Sequence, residues 1–199
     1  MKEEERTMKK RVLFVANVSS CYGANRSMLD LAVGLREQGH IVFVVIPTKG
    51  PVEKELKKER ITYTIVPYAA GVHTVSDGSW YKRIRRASDN LYALIKMGQL
   101  IRSWQIELIH TNSLTHYIGA VCALVYRLPH VWHIRELLDE DYGMEFDFCA
   151  LQVHLLKKAD AVICISKTVM EKYREANRNV VVVMNGFRTE RYFFPRDLY

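Results

Sequence analysis

The chain has 199 residues, 49% of them apolar, and a formal charge of +7 at pH 7. This is enough apolar material for one sizeable core, but no apolar run approaches the roughly 18 to 20 residues needed to span a bilayer, and the charged opening MKEEERTMKK is not followed by the apolar region of a secretory signal. The expectation is a soluble cytoplasmic protein whose positive charge and pI near 9.2 fit an anionic partner: a nucleic acid, a membrane surface or a phosphorylated ligand.

Residues 1–10 read as a charged extension, with Met8 as a candidate natural start. RVLFVAN, Arg11 to Asn17, is a β-branched and aromatic run that predicts a strand. A loop follows, then ANRSMLDLAVGLREQGH, whose apolar residues recur at helical spacing up to a stop at Gly39. IVFVVIP, Ile41 to Pro47, is continuously apolar, as expected for a strand covered on both faces of a parallel sheet. The alternation continues through a short charged helix, ITYTIVP, a Gly- and Ser-containing loop over 67–79 and a long helix over about 80–104. Next come ELIHTN, the segment 114–126, HVWHIR, a helix ending near Lys158, DAVICIS, a helix over 167–176 and VVVVMNG.

Strands alternating with helices are βαβ units. The fold class is therefore α/β: a Rossmann-like, open, mostly parallel sheet of about seven strands with helices on both faces, occupying residues 11–185. The tail from 186, GFRTERYFFPRDLY, places Phe187, Tyr192, Phe193 and Phe194 after the last strand and reads as the start of a linker to a further domain. Cys21, Cys122, Cys149 and Cys164 form no CxxC pair, which fits a reduced compartment. His130 and His133 lie an odd number apart on one strand, so their side chains face opposite ways, and no metal site is expected.

Open α/β sheets take ligands beyond the carboxyl ends of their strands. In VSSCYGANRSM, Gly23 and Ala24 offer backbone N–H groups and a positive helix end to a phosphate, unless Gly23 simply makes a turn. The loop is not GxGxxG, and strand two ends in Pro47, Thr48 and Lys49 without the acidic residue that would bind a dinucleotide ribose; an NAD site is not expected. In HTNSLTH, Asn112 and Ser113 are spaced to cap the following helix, which would also turn its amino terminus towards the crevice. VWHIRELL puts His133 at the end of a strand expected in mid-sheet, either reaching a ligand or satisfied by backbone within the core. Arg135 and Glu136 either accompany it or form a solvated pair at the next helix start, while Ser166 ends a further strand. In SWYKRIRRASDNLYALIKMGQLIRSW, Ile84, Leu91, Leu94, Ile95 and Ile101 share one helical face, read as core packing. Lys82, Arg83, Arg85 and Arg86 beside Trp80 and Tyr81 have the composition of an interfacial membrane contact, or of a solvated basic face.

In chain order, RVLFVANVSSCYGANRSMLDLAVGLREQGHIV, HTNSLTHYIGAVCALVYRLPHVWHIREL, DAVICISKTVMEKY and VVVVMNGFRTERYFFP resemble the amino-terminal half of the two-domain GT-B glycosyltransferases of family 4 (group 1), over essentially the whole chain from Met8. The resemblance implies the acceptor-binding domain of a retaining, hexosyltransferase-type enzyme. Such an enzyme moves a sugar from a nucleotide-sugar donor to a glycan or lipid-linked acceptor in surface polysaccharide synthesis, with no metal or other cofactor. By position it implies that His133 hydrogen-bonds the donor sugar, that Gly23 belongs to the glycine loop near the donor diphosphate, and that Asn112 and Ser113 line the acceptor side. Arg135 and Glu136 follow the histidine as in many family members. Two features depart from the family: Tyr22 stands where a second glycine is common, and the carboxy-terminal donor domain is absent, to be supplied in cis or in trans. The isolated chain is then expected to be inactive, and the enzyme cytoplasmic and peripheral at the inner face of the membrane. The rival reading is a non-catalytic Rossmann-like module that binds an anionic ligand or a membrane surface. No groove-reading or base-stacking motif is present, so a nucleic acid is not the expected partner.

Overall fold

In the computed structural model, which describes residues 8–21, 23–74 and 79–186, strands and helices alternate as the apolar pattern requires. The first half runs β1 (Arg11–Val15), α1 (Ala24–Glu37), β2 (Ile41–Ile46), α2 (Val52–Lys58), β3 (Thr62–Ile65), β4 (Val72–Thr74) and α3 (Trp80–Ser103). The second half runs β5 (Leu108–Asn112), α4 (Ile118–Tyr126), β6 (His130–Ile134), α5 (Leu138–Tyr142), β7 (Met144–Phe146), α6 (Cys149–Lys158), β8 (Ala161–Cys164), α7 (Lys167–Tyr173) and β9 (Val180–Val182). The aromatic tail lies outside the described residues.

Seven strands form one sheet in the order β3-β2-β1-β5-β6-β8-β9, and every neighbouring pair is parallel. The connections run outwards from β1 to one edge through α1 and α2, then from β5 to the other edge. Their direction reverses between β1 and β5, which opens a crevice at the carboxyl ends of those strands. Because the crossovers are right-handed, reversing direction moves the helices to the other face. One face carries α1 and α2 packed on Val12, Phe14, Val42, Val44 and Ile46. The other carries α3 and α4 on Leu13, Val15, Phe43, Val45 and Ile109, continued by α6 and α7 around Trp132, Ile134, Val162 and Cys164. Val42 to Ile46 are all buried, which is why β2 shows no polar alternation. Gly39, at φ 91°, ends α1: its N–H and that of His40 return to Arg36 O and Leu35 O, closing the helix with a left-handed residue that glycine adopts without strain.

The structure departs from the sequence pattern in three places. The loop expected over 67–79 contains β4, which pairs antiparallel with β7 in a separate two-stranded ribbon. Asp147, directly after β7, is fully buried and anchors this ribbon: it accepts from Arg86 Nε and from the terminal Arg86 nitrogen at 2.6 Å each, and pairs with His73 Nδ1 at 2.8 Å. Second, α4 starts at Ile118 rather than at 114, because residues 113–116 are held in a turn in which Ser113 Oγ accepts from Thr115 N at 3.2 Å and His116 Nε2 bonds Asn112 O at 3.1 Å. Third, the stripe of α3 read as core is inside only in part: Ile101 is buried and Leu94 packs against the core, but Ile84, Leu91 and Ile95 are 56%, 61% and 57% exposed. The buried face is Asn90, Ala93, Met97, Gly98 and Ile101. A Cβ on Gly98 would meet the Tyr126 side chain of α4, so the two helices approach through the glycine, which turns this face inwards.

Candidate functional site

The crevice is built on a chain of polar side chains that crosses three strand ends. Asn25, fully buried in the first turn of α1, donates to Val18 O at 2.6 Å and Ser20 O at 2.9 Å, which fixes the β1–α1 loop. Its Oδ1 and Ala24 O accept from Asn112 Nδ2 at 3.3 Å each. Asn112 Oδ1 accepts from Arg135 Nε at 2.6 Å. The remaining Arg135 nitrogens donate to Asn185 Oδ1 at 2.7 Å and to His133 Nδ1 at 3.3 Å, and Ser27 also bonds Asn185 Oδ1 at 2.9 Å.

This chain sets the state of His133. A guanidinium has no acceptor, so the nitrogen facing Arg135 must be the unprotonated one, and the proton of the neutral ring sits on Nε2. Burial, reinforced by the Arg135 charge, holds the ring neutral with a pKa of about 3. Nε2 itself is buried and has no partner among the described residues. The His133 side chain lines a cavity of about 350 Å³ together with Ser27, Asp30, Leu31, Ile163 and the stretch Val183 to Gly186. A fixed donor beside a cavity, with no acceptor among the described residues, is complementary to a ligand oxygen.

A second cavity of about 490 Å³ adjoins it through Asn185 and collects most of the remaining candidates: Gly23, Ala24, Ser113, Arg135 and Glu136 all line it. Gly23 has φ 50° and ψ −117°, a backbone that side chains rarely adopt, and a Cβ there would meet no atom within 4 Å; the loop therefore opens towards the cavity. The first turn of α1 contains no acidic residue, so its positive end is uncompensated. Ser113 lies at φ 82°. It is held there by its hydroxyl on the Glu136 carboxylate, by its N–H on His133 O at 2.8 Å and by Trp132 Nε1 on its carbonyl at 2.9 Å. Glu136 also accepts from Leu114 N at 2.6 Å. Burial raises its carboxyl pKa against these two hydrogen bonds.

The expected cap at Asn112 and Ser113 is not formed: α4 begins five residues after Ser113 without a side-chain cap, since Asn112 is drawn towards α1 and Arg135 and Ser113 towards Glu136. Arg135 and Glu136 are not a solvated pair, being 9% and 8% exposed. Ser166 lines neither cavity; its Oγ accepts from Val169 N at 3.2 Å and caps α7. Of the basic cluster on α3, Arg86 is bound to Asp147, and Arg83 donates to Asp147 O and stacks over Phe148, whereas Trp80, Tyr81 and Arg85 face outwards and Lys82 is half-buried. Asn25, Asn185 and His110 escaped the sequence reading. His110 sits between Phe14 and His133, at ring separations of 4.5 and 5.5 Å, with neither nitrogen partnered among the described residues. The only signals were the asparagine after Gly23-Ala24 and the Asn-Gly after the last strand.

An open, doubly wound sheet with a polar crevice at its switch point defines a Rossmann-like ligand-binding domain of the kind that forms half of a GT-B transferase. Residues 22–191 match Glycosyltransferase Family 4, and the chain belongs to that family; it is a glycosyltransferase domain. No curated protein sequence matches it. Among solved structures it is similar to HepE from Anabaena in complex with UDP-glucose, with 19% identity, a TM-score of 0.69, and 94% of this chain against 47% of that one. It is also similar to MurG from Acinetobacter baumannii, with 14% identity, a TM-score of 0.61, and 94% against 50%. A glycosyltransferase from Rickettsia africae gives 17%, 0.60, and 94% against 47%. The chain thus spans about half the length of these relatives, and at such identities they share its fold.

Proposed function

We propose that this chain is the acceptor-binding half of a retaining glycosyltransferase that moves a sugar from a nucleotide-sugar donor to a glycan or lipid-linked acceptor in surface polysaccharide synthesis. The reaction needs no metal, and the nucleotide-binding half is supplied by a second domain in cis or in trans. The observation that carries this reading is the buried Nε2–H of His133, without a partner among the described residues, on a ring that lines the crevice and is locked by Arg135. A neutral imidazole donor suits a sugar hydroxyl, and Gly23 with the uncompensated α1 terminus suits the adjoining diphosphate. The acceptor enters the cavity over Ser113 and Glu136. Its hydroxyl oxygen bonds the anomeric carbon as the sugar–phosphate bond breaks, and the hydroxyl proton leaves with the phosphate. A nucleotide pocket and the donors that stabilise the leaving phosphate would come from the second domain.

The HepE complexes make UDP-glucose a sensible first donor to assay. Radiolabelled nucleotide sugars are offered to this chain alone and to the chain joined to or mixed with its donor domain, and both transfer and donor hydrolysis are followed. Activity confined to the two-domain form is the expected result. Absence of nucleotide-sugar binding from both forms would sink the proposal and leave a non-catalytic binding module.

A further inference from the structure

Helix α3 has two apolar faces. One packs Ala93, Met97 and Ile101 against the sheet. The other carries Trp80, Tyr81, Ile84, Leu91, Tyr92 and Ile95, all between 54% and 71% exposed. At 3.6 residues per turn these six side chains fall within an arc of about 120°. Arg85 and Lys96 border the arc, with the Lys96 ammonium 5.7 Å from the Tyr92 ring centre, and Arg102 continues it at the carboxyl end. Asp89 is the one acidic residue of α3 against six basic ones.

We propose that this outer face of α3 is an interfacial helix that lays the protein on an anionic lipid surface. Apolar and aromatic side chains in one stripe with cations along its edge match a boundary between acyl chains and acidic headgroups. A second copy of the chain fits less well, because a two-fold contact would set Arg85, Lys96 and Arg102 against their own images. No described helix is long and apolar enough to cross a membrane, so α3 lies on the bilayer rather than through it. Docking rests on this geometry alone and stands or falls separately from the transfer reaction.

The test is co-sedimentation of the 199-residue chain with phosphatidylcholine vesicles, with and without phosphatidylglycerol, at low salt. Binding is expected only when phosphatidylglycerol is present, with a blue shift of tryptophan emission as Trp80 enters the interface. The double variant Arg85→Gln, Lys96→Gln should bind about 30-fold more weakly. The triple variant Ile84→Ser, Leu91→Ser, Ile95→Ser should lose binding while keeping its circular dichroism spectrum, since these side chains are exposed. The proposal is overturned if the unsubstituted chain ignores anionic vesicles, if the triple variant binds them equally well, or if the chain instead forms a dimer that the triple variant abolishes.

Discussion

The donor role of His133 depends on Arg135, which occupies the other ring nitrogen and so dictates where the proton resides. In a two-domain enzyme, His133→Ala should lower kcat/KM by about 100-fold or more, the scale of losing one fixed donor to a transition state. Steady-state kinetics beside a thermal melt would separate this from unfolding, because among the described residues the ring's one hydrogen bond is the long contact of Nδ1 with Arg135. Arg135→Lys keeps the charge but lacks the fork that reaches Asn112, Asn185 and His133 together, so activity should fall although a cation remains. Glu136 is more structural: Glu136→Ala strands the buried Leu114 N–H and leaves the Ser113 hydroxyl only its Thr115 partner, at a cost of about 1 to 3 kcal/mol measurable by urea unfolding. These residues were legible because each is polar at or just after a strand end. Asn25 and Asn185 were not, since their partners lie 87 and 50 residues away in sequence, and nothing local records that such groups will meet.

At the level of elements, the seven sheet strands and most helices follow from apolar runs and their spacing, but β4 and β7 do not. Three-residue strands are too short to show a period, and their ribbon is fixed by a charge cluster assembled from distant segments. Arg86→Ala should therefore destabilise the fold by about 3 to 5 kcal/mol, leaving Asp147 buried without its bidentate partner. Chemical denaturation would show it, and Arg86→Lys should restore only part of the loss. The burial of α3 was misread for a different reason. Its sequence offers a stripe rich in large apolar residues and a neighbouring one interrupted by Asn90, Ala93 and Gly98, and hydrophobicity alone favours the first. Close approach of α4 at Gly98 selects the second. Gly98→Ala places a methyl group against the Tyr126 side chain and should cost about 1 to 3 kcal/mol in the same assay.

Across the whole molecule, folding buries four histidines that are kept neutral. Burial lowers His116 to about 4, His130 to about 3 and His133 to about 3, and takes His110 well below its ordinary value, with the Arg135 charge adding to the effect. In the unfolded chain all four titrate near the ordinary histidine value of about 6.5. Between that value and about 4 the unfolded state thus holds more protons than the folded one, and stability rises with pH. The histidine contribution is complete above about pH 6.5 and is lost on acidification, with a slope of at most about 5 kcal/mol per pH unit when all four take part. Glu136 works in the opposite sense: its raised pKa makes the folded state the better proton binder, so its share of stability falls as pH rises above the ordinary carboxyl value. One carboxyl against four imidazoles leaves the acid side the weaker one. Urea midpoints should accordingly drop between about pH 7 and about pH 5.5. His110→Phe isolates the cause: neither His110 nitrogen has a partner among the described residues, so a phenyl ring between Phe14 and His133 forfeits no hydrogen bond to them. This variant should unfold with about one proton fewer taken up and a correspondingly flatter acid slope; an unchanged slope would show that His110 does not contribute to the acid sensitivity.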